Sequence, residues 1–183
     1  MVGIILLVIL VIVVFYVIGL YNSLIRLKNQ VGNGWSQIDV QLKRRHDLIP
    51  NLIETCKGYM KHEKETLENI TNARSNAMGA DSISDKSSAE GALSGSLSKF
   101  MLVVENYPDL KANANFISLQ EELSSTENKI AFSRQNYNDQ VLFFNNKIEM
   151  FPSNIIAGSF NFKQADFFEI EDKTERDVPK VKF

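Results

Sequence analysis

The sequence is poor in the residues that build reactive or metal-binding sites. It has one cysteine and two histidines among 183 residues. The single cysteine, Cys56, excludes an internal disulfide. His46 and His62 are too far apart along the chain to share one helical turn, and His62 lacks the second histidine of a zinc protease motif. Since no Ser/His/Asp set and no glycine-rich phosphate loop is evident, we predict no enzyme, no cofactor and no metal site.

The sequence also lacks a strong excess of either charge. Its formal net charge is −2, so no overall field draws the protein to nucleic acid. The run Lys43-Arg44-Arg45 has no aromatic residues interleaved and matches no recognition motif. We therefore predict no nucleic-acid partner. A salt-bridged surface, a protein-binding patch and a lipid contact are all open alternatives for this run.

Charge and proline are absent from residues 2–20, which are almost wholly apolar. A helix of this length spans roughly 29 Å, about the hydrocarbon thickness of a bilayer. No basic side chain precedes the run and no small-residue cleavage pattern follows it, so we predict an uncleaved anchor that contacts the lipid bilayer through residues 2–21. Arg26 and Lys28 follow the span, which predicts a cytoplasmic soluble domain and an N-terminus outside.

Beyond the anchor, apolar residues recur at helical spacing, and no stretch alternates as a strand does. A Gly-Asn-Gly sequence predicts a hinge that interrupts the helix at residues 32–34. An apolar seam then keeps its phase from Trp35 to Ala77, which predicts one long helix. The polar residues 81–88 predict a flexible connection after it.

Two further helices complete the pattern. A shorter one is predicted from the apolar spacing of residues 93–104, and it ends before Pro108. A third, long helix is predicted from Lys111 to Phe151. Amphipathic helices of this length must bury their apolar faces against one another. The predicted fold is all-α, with an N-terminal transmembrane helix followed by an antiparallel bundle of long helices.

The predicted organisation has four parts. They are a transmembrane anchor with a helical extension (residues 1–31), the hinge (32–34), a helical bundle domain (35–151) and a C-terminal tail with a short aromatic-rich segment (152–183). Within the tail, a helical turn is predicted near residues 164–171. The phenylalanines of the tail are expected to cover the bundle, and the alternative is an exposed adhesive segment.

The helical segment around the basic run concentrates unusual features. Pro50 lies inside a predicted helix, where its missing N–H leaves the carbonyl of His46 without its helical donor. We predict a small polar notch formed by this carbonyl with Asp47 and Asn51, which either shapes the bundle or binds a partner. Arg45 falls on the apolar seam and therefore requires a carboxylate partner. The candidates on the third helix are Glu121, Glu122 and Glu127.

The candidate partner-binding residues carry outward charge, line the notch or belong to the aromatic segment. They are Lys43, Arg44, His46, Asp47, Asn51, Phe167 and Phe168. Cys56 lies on the apolar seam, so it is predicted to be a small buried hydrophobe rather than a nucleophile.

Seven blocks, spread along the chain, carry a family resemblance. They are YNSL at residues 21–24, GWSQIDVQLKRRHDLIPNL at 34–52, AR at 73–74, YN at 137–138, FPSN at 151–154, the pair Phe160 and Phe162, and FFE at 167–169. In this order they resemble the LemA family of bacterial membrane-anchored proteins. The resemblance implies a single-pass membrane protein with a bundle of long helices, and it implies no chemistry. Some relatives are linked to envelope stress and to a membrane zinc protease.

We therefore predict a protein of the bacterial cell membrane that acts as a non-catalytic adaptor or scaffold for unidentified membrane or cytoplasmic proteins. The resemblance implies a setting in envelope stress or in membrane protein quality control. The alternative is a self-assembling or membrane-remodelling structural protein, which would form a homo-oligomer.

Overall fold

The computed structural model describes residues 1–169, which form six helices. In chain order these are α1 (Val2–Lys57), α2 (Lys64–Met78), α3 (Ile83–Val104), α4 (Pro108–Lys111), α5 (Ala114–Glu149) and α6 (Ser153–Ser159). No strand occurs within residues 1–169. The predicted fold class, all-α with an apolar N-terminal helix followed by a helical bundle, is confirmed.

Helix α1 begins in the apolar segment and continues for 56 residues. Residues 2–16 are all exposed, and this part of the helix is long and apolar enough to cross a membrane. The helix also continues through residues 32–34, so the interruption predicted there is wrong. Helix α5 packs closely against Gly34, since a Cβ on Gly34 would lie 3.3 Å from the Cα of Tyr137. This packing explains a glycine inside the helix and outweighs the preference of glycine for turns.

The chain divides into two compact units, which we describe separately. Unit 1 consists of Met1–Val40 and Ile130–Phe167, and unit 2 consists of Gln41–Lys129 together with the described residues 168–169. Helices α1 and α5 each contribute residues to both units.

In unit 1, α1 and α5 run antiparallel. Trp35 of α1 packs edge-on against Tyr137 of α5, with ring centroids 5.6 Å apart. At the other end of the unit, Tyr21 of α1 and Phe144 of α5 both contact Phe162. Lower-numbered residues of α1 thus accompany higher-numbered residues of α5, which defines the antiparallel register.

In unit 2, the seam predicted as a single helix from Trp35 to Ala77 is divided between α1 and α2. Helix α1 ends at Lys57, and the N–H of Met60 returns to the carbonyl of Cys56 at 2.9 Å. Met60 and Cys56 are both buried in the core. Buried apolar residues therefore recur at helical spacing along the sequence although the chain turns here. The predicted burial of Cys56 is confirmed.

The flexible connection predicted at residues 81–88 is also wrong, because α3 begins inside it. Ser82 caps this helix, since its Oγ accepts a hydrogen bond from the backbone N–H of Asp85 at 3.0 Å. The same hydroxyl donates to Oδ2 of Asp85 at 2.6 Å. The Ser82 hydroxyl is therefore an N-cap, so the polar residues mark a helix start rather than a loop.

The long helix predicted from Lys111 to Phe151 is confirmed within a few residues as α5. The helical turn predicted near residues 164–171 is not found, because residues 164–169 are not helical and the last two lie outside the described residues. A short helix, α6, occurs instead directly after Pro152.

Candidate functional site

A cluster of charged side chains lies inside unit 2. Arg45 and Glu90 are each 1% exposed, and Nη2 of Arg45 donates to Oε2 of Glu90. Nη1 of Arg45 donates to Oε1 of Glu127 and to Oγ of Ser94, each at 2.7 Å. Nε2 of His46 lies 2.9 Å from Oε1 of Glu90. The cluster therefore joins residues of α1, α3 and α5.

Glu90 is held in its charged form. Burial raises the pKa of this carboxyl, but the neighbouring His46 and Arg45 side chains outweigh burial, so that the pKa of Glu90 is lowered overall. A buried carboxylate is stable only beside a cation and hydrogen-bond donors. We interpret the cluster as a structural ion pair that holds three helices together, because Arg45 of α1 pairs with Glu90 of α3 and with Glu127 of α5. Nε of Arg45 is buried without a hydrogen-bond partner among the described residues.

The sequence predicted one half of this cluster. The carboxylate that Arg45 requires on the third long helix is present as Glu127. Glu90 was missed, although it lies on the apolar face of α3 ahead of Leu93 and Leu97. A lone acidic residue on an apolar helical face was the signal that pointed to a second buried partner.

The notch predicted near Pro50 is filled by another side chain. Helix α1 continues through Pro50, and Nε of Arg74 on α2 donates to the carbonyl of His46 at 2.7 Å. The carbonyl that proline leaves without its helical donor is thus satisfied within the protein. His46 is buried, whereas Asp47 and Asn51 are exposed. The predicted binding role of His46 is therefore corrected to a structural one.

The outward cations of the basic run differ from Arg45. Lys43 and Arg44 are exposed, as predicted. Nη2 of Arg44 donates to Oε1 of Glu122, and the two side chains are 48% and 42% exposed. Three alternatives were open for the basic run: a salt-bridged surface, a protein-binding patch and a lipid contact. For Arg44, the structure shows the salt-bridged surface.

The two adjacent phenylalanines of the aromatic segment have different environments. Phe167, the last residue of its part of unit 1, is 38% exposed, whereas Phe168 in unit 2 is fully buried. The carbonyl of the next residue, Glu169, accepts a hydrogen bond from Oγ of Ser87. Phe168 is therefore a core residue and not a partner-binding one, and Phe167 stays accessible.

An open groove lies between α2 and α3 in unit 2, with a volume of about 620 Å³. We call it the α2–α3 groove. Asn69, Asn72 and Asn76 line its α2 side, spaced so that their amides follow one face of the helix. The α3 side is formed mainly by short side chains, which include Ser88, Ala89, Ala92 and Ser96.

Sequence reasoning did not single out this groove. The available signal was the set of three asparagines at one-turn spacing on the polar face of an amphipathic helix. The opposing helix has many small residues, but their spacing alone does not show which helix they face. The groove follows only from the pairing of α2 with α3.

Catalytic and metal chemistry find little support in the part of the chain that is described. No three His, Cys, Asp or Glu side chains lie close enough together in residues 1–169 to hold a metal ion. Burial raises the pKa of the Cys56 thiol to about 12, so this sulfur is not a nucleophile at neutral pH.

Comparisons with known proteins identify relatives along most of the chain. The model of the LemA family matches residues 34–183. Protein LemA of Metamycoplasma hominis is 32% identical, over 90% of this chain and 75% of the relative. Magnetosome protein MamQ 2 of Paramagnetospirillum magneticum is 22% identical, over 88% of this chain and 68% of the relative. MamQ of Magnetospirillum gryphiswaldense is 20% identical over the same shares.

Proposed function

The chain belongs to the LemA family, and from this premise we propose that it is a membrane-anchored, non-catalytic adaptor whose α2–α3 groove binds a segment of a partner protein. The observation that carries the proposal is the groove itself, lined by amides on one side and by small side chains on the other. In this proposal, the apolar segment of α1 anchors the adaptor in the membrane.

The lining of the groove favours a polypeptide over other ligands. Each asparagine amide offers two donors and one acceptor oxygen, which complement peptide groups and polar side chains. The charged lining residues Asp85 and Lys99 have opposite signs, so no excess of positive charge favours phosphate or nucleic acid. The small side chains of Ala89 and Ala92 allow a helix or an extended segment to approach closely.

Photocrosslinking from within the groove tests the adaptor proposal. A photoreactive amino acid replaces Asn72 in the full chain, and Ser125, an exposed residue of α5 in unit 2, serves as the matched control position. We expect one membrane or cytoplasmic protein to be captured reproducibly from Asn72 and not from Ser125. Mass spectrometry identifies the captured protein.

A blocking variant makes the same test specific. Ala92→Trp places a large ring in the groove, and Ser125→Trp is its control. We expect the capture from Asn72 to fall several-fold with Ala92→Trp only. Capture of a second copy of this chain alone would favour the self-assembling alternative, and an equal yield from the control position would refute a groove-specific partner.

We also propose that unit 2 is cytoplasmic, because Arg26 and Lys28 are exposed directly after the span. A membrane-impermeant maleimide distinguishes the two orientations when Asn72→Cys supplies the reactive thiol. Cys56 does not interfere, since it is fully buried. We expect labelling in inverted vesicles and none in intact spheroplasts, and the reverse pattern would reverse the topology.

A further inference from the structure

An uncharged stretch follows α5 in unit 1. Residues 150–162 contain no charged side chain, although charged residues make up 23% of the chain. Four large apolar side chains in this stretch are exposed, and we call them the apolar turn. They are Met150 (61%), Phe151 (80%), Ile155 (58%) and Phe160 (58%). Such a concentration of exposed apolar surface indicates a site that another apolar phase covers.

The apolar turn lies beside the end of the membrane span. The ring of Phe160 packs against Tyr21, with centroids 4.7 Å apart, and Tyr21 directly follows the apolar segment of α1. Within that segment, Val17 and Leu20 are partly buried, whereas residues 2–16 are exposed. Protein therefore covers only the last turns of the span, where the apolar turn is located.

The register of α1 and α5 gives the same position independently. Gly34 faces Tyr137, and the two helices are antiparallel. Tyr21 is thirteen residues before Gly34, and Met150 is thirteen residues after Tyr137. At 1.5 Å per helical residue, both distances are roughly 20 Å. Met150 thus lies level with Tyr21, at the boundary where the bilayer ends.

We infer that the apolar turn enters the membrane interface and forms a second contact with the bilayer, next to the transmembrane span. The boundary between acyl chains and headgroups accommodates aromatic and aliphatic side chains together with uncharged polar groups. The continuity of the apolar turn with the lipid-facing span identifies the bilayer as its occupant. Lys163 is exposed directly after the uncharged stretch, and a lysine at this position can place its ammonium group among the headgroups. This contact does not depend on the α2–α3 groove.

Spin labels in the full chain test the inference. Phe151→Cys and Ile155→Cys each carry a nitroxide, and the control is Asp139→Cys, an exposed position of α5 in the same unit. The proteins are reconstituted into vesicles of phosphatidylethanolamine and phosphatidylglycerol. Collision rates are then measured with oxygen, which concentrates in the bilayer, and with a nickel chelate, which stays in water.

We expect the ratio of oxygen to nickel collisions to be several-fold higher at residues 151 and 155 than at residue 139. A second substitution, Ile155→Asp in the chain labelled at residue 151, is expected to lower this ratio. Equal ratios at all three positions would place the apolar turn in water. Low collision rates with both reagents would instead show that protein covers it, and either result overturns the inference.

Discussion

Replacing Arg45 by methionine should lower the free energy of unfolding by roughly 3–5 kcal/mol, the usual cost of breaking a buried ion pair. The substitution leaves Glu90 buried, 1% exposed, without the guanidinium that now pairs with it. His46 stays beside Glu90 and limits the loss, but the ion pair that joins α1 to α3 is gone. Denaturant unfolding of the full chain in detergent, followed by far-ultraviolet circular dichroism, measures the change.

The adjacent arginine is the matched control. Arg44→Met removes the same charge from the same helix, but its partner Glu122 remains in contact with water, so we expect a loss below about 1 kcal/mol. The double variant Arg45→Met with Glu90→Leu should recover much of the stability, because no buried charge is then left unpaired. Equal losses for Arg44→Met and Arg45→Met would contradict the buried cluster.

Replacing Phe168 by alanine should cost roughly 3–5 kcal/mol, as is typical for a fully buried phenylalanine. Its ring is 0% exposed in unit 2. The loss therefore combines the transfer of an aromatic ring to water with the cavity that remains. The same unfolding measurement detects it, and limited proteolysis should cut the chain next to residue 168 more readily in the variant.

Phe167→Ala is the control for this second experiment. Phe167 is 38% exposed, so its truncation removes less buried surface and should cost on the order of 1 kcal/mol. A loss as large as that of Phe168→Ala would mean that the two rings are equally buried. If Phe168→Ala had no effect, the burial of the Phe168 ring in unit 2 would be refuted.

The sequence was sufficient where periodicity and composition decide the structure. The apolar run predicted the long apolar N-terminal helix, and the third long helix was placed within a few residues. Cys56 was predicted to be buried from its position on the seam, and Arg45 was predicted to pair with an acidic residue of the third helix. Each of these predictions depends only on which residues share one face of a helix and on whether that face is apolar enough to be buried.

Tertiary packing decided the elements that were predicted wrongly. Gly34 keeps a helical conformation because it lies against the backbone of Tyr137, although its sequence context is typical of a break. Met60 stays on the buried side through the turn that follows α1, so the sequence showed no change of phase there. Ser82 was assigned to a flexible connection although it caps a helix.

The site was harder to predict because its contacts join distant parts of the chain. Arg74 reaches the carbonyl of His46 from another helix and fills the predicted notch. Glu90 meets Arg45 across 45 residues of sequence. A single sequence shows that Arg45 needs partners, but it does not show which acidic residues the fold brings to it.

The close approach of Gly34 to Tyr137 has a mechanical consequence for unit 1. The residues one turn away on the same face of α1, Val31 and Ile38, are buried and carry branched side chains. At present the backbone of Tyr137 packs against Gly34, which has no side chain. If α5 moved by one turn along α1, this backbone would instead collide with the side chain of Val31 or Ile38. The contact therefore fixes the position of α5 along α1, and with it the position of residues 150–160 relative to the apolar segment. Under the proposed contact of these residues with the bilayer, a change of bilayer thickness would act on them and on the apolar segment of α1 together.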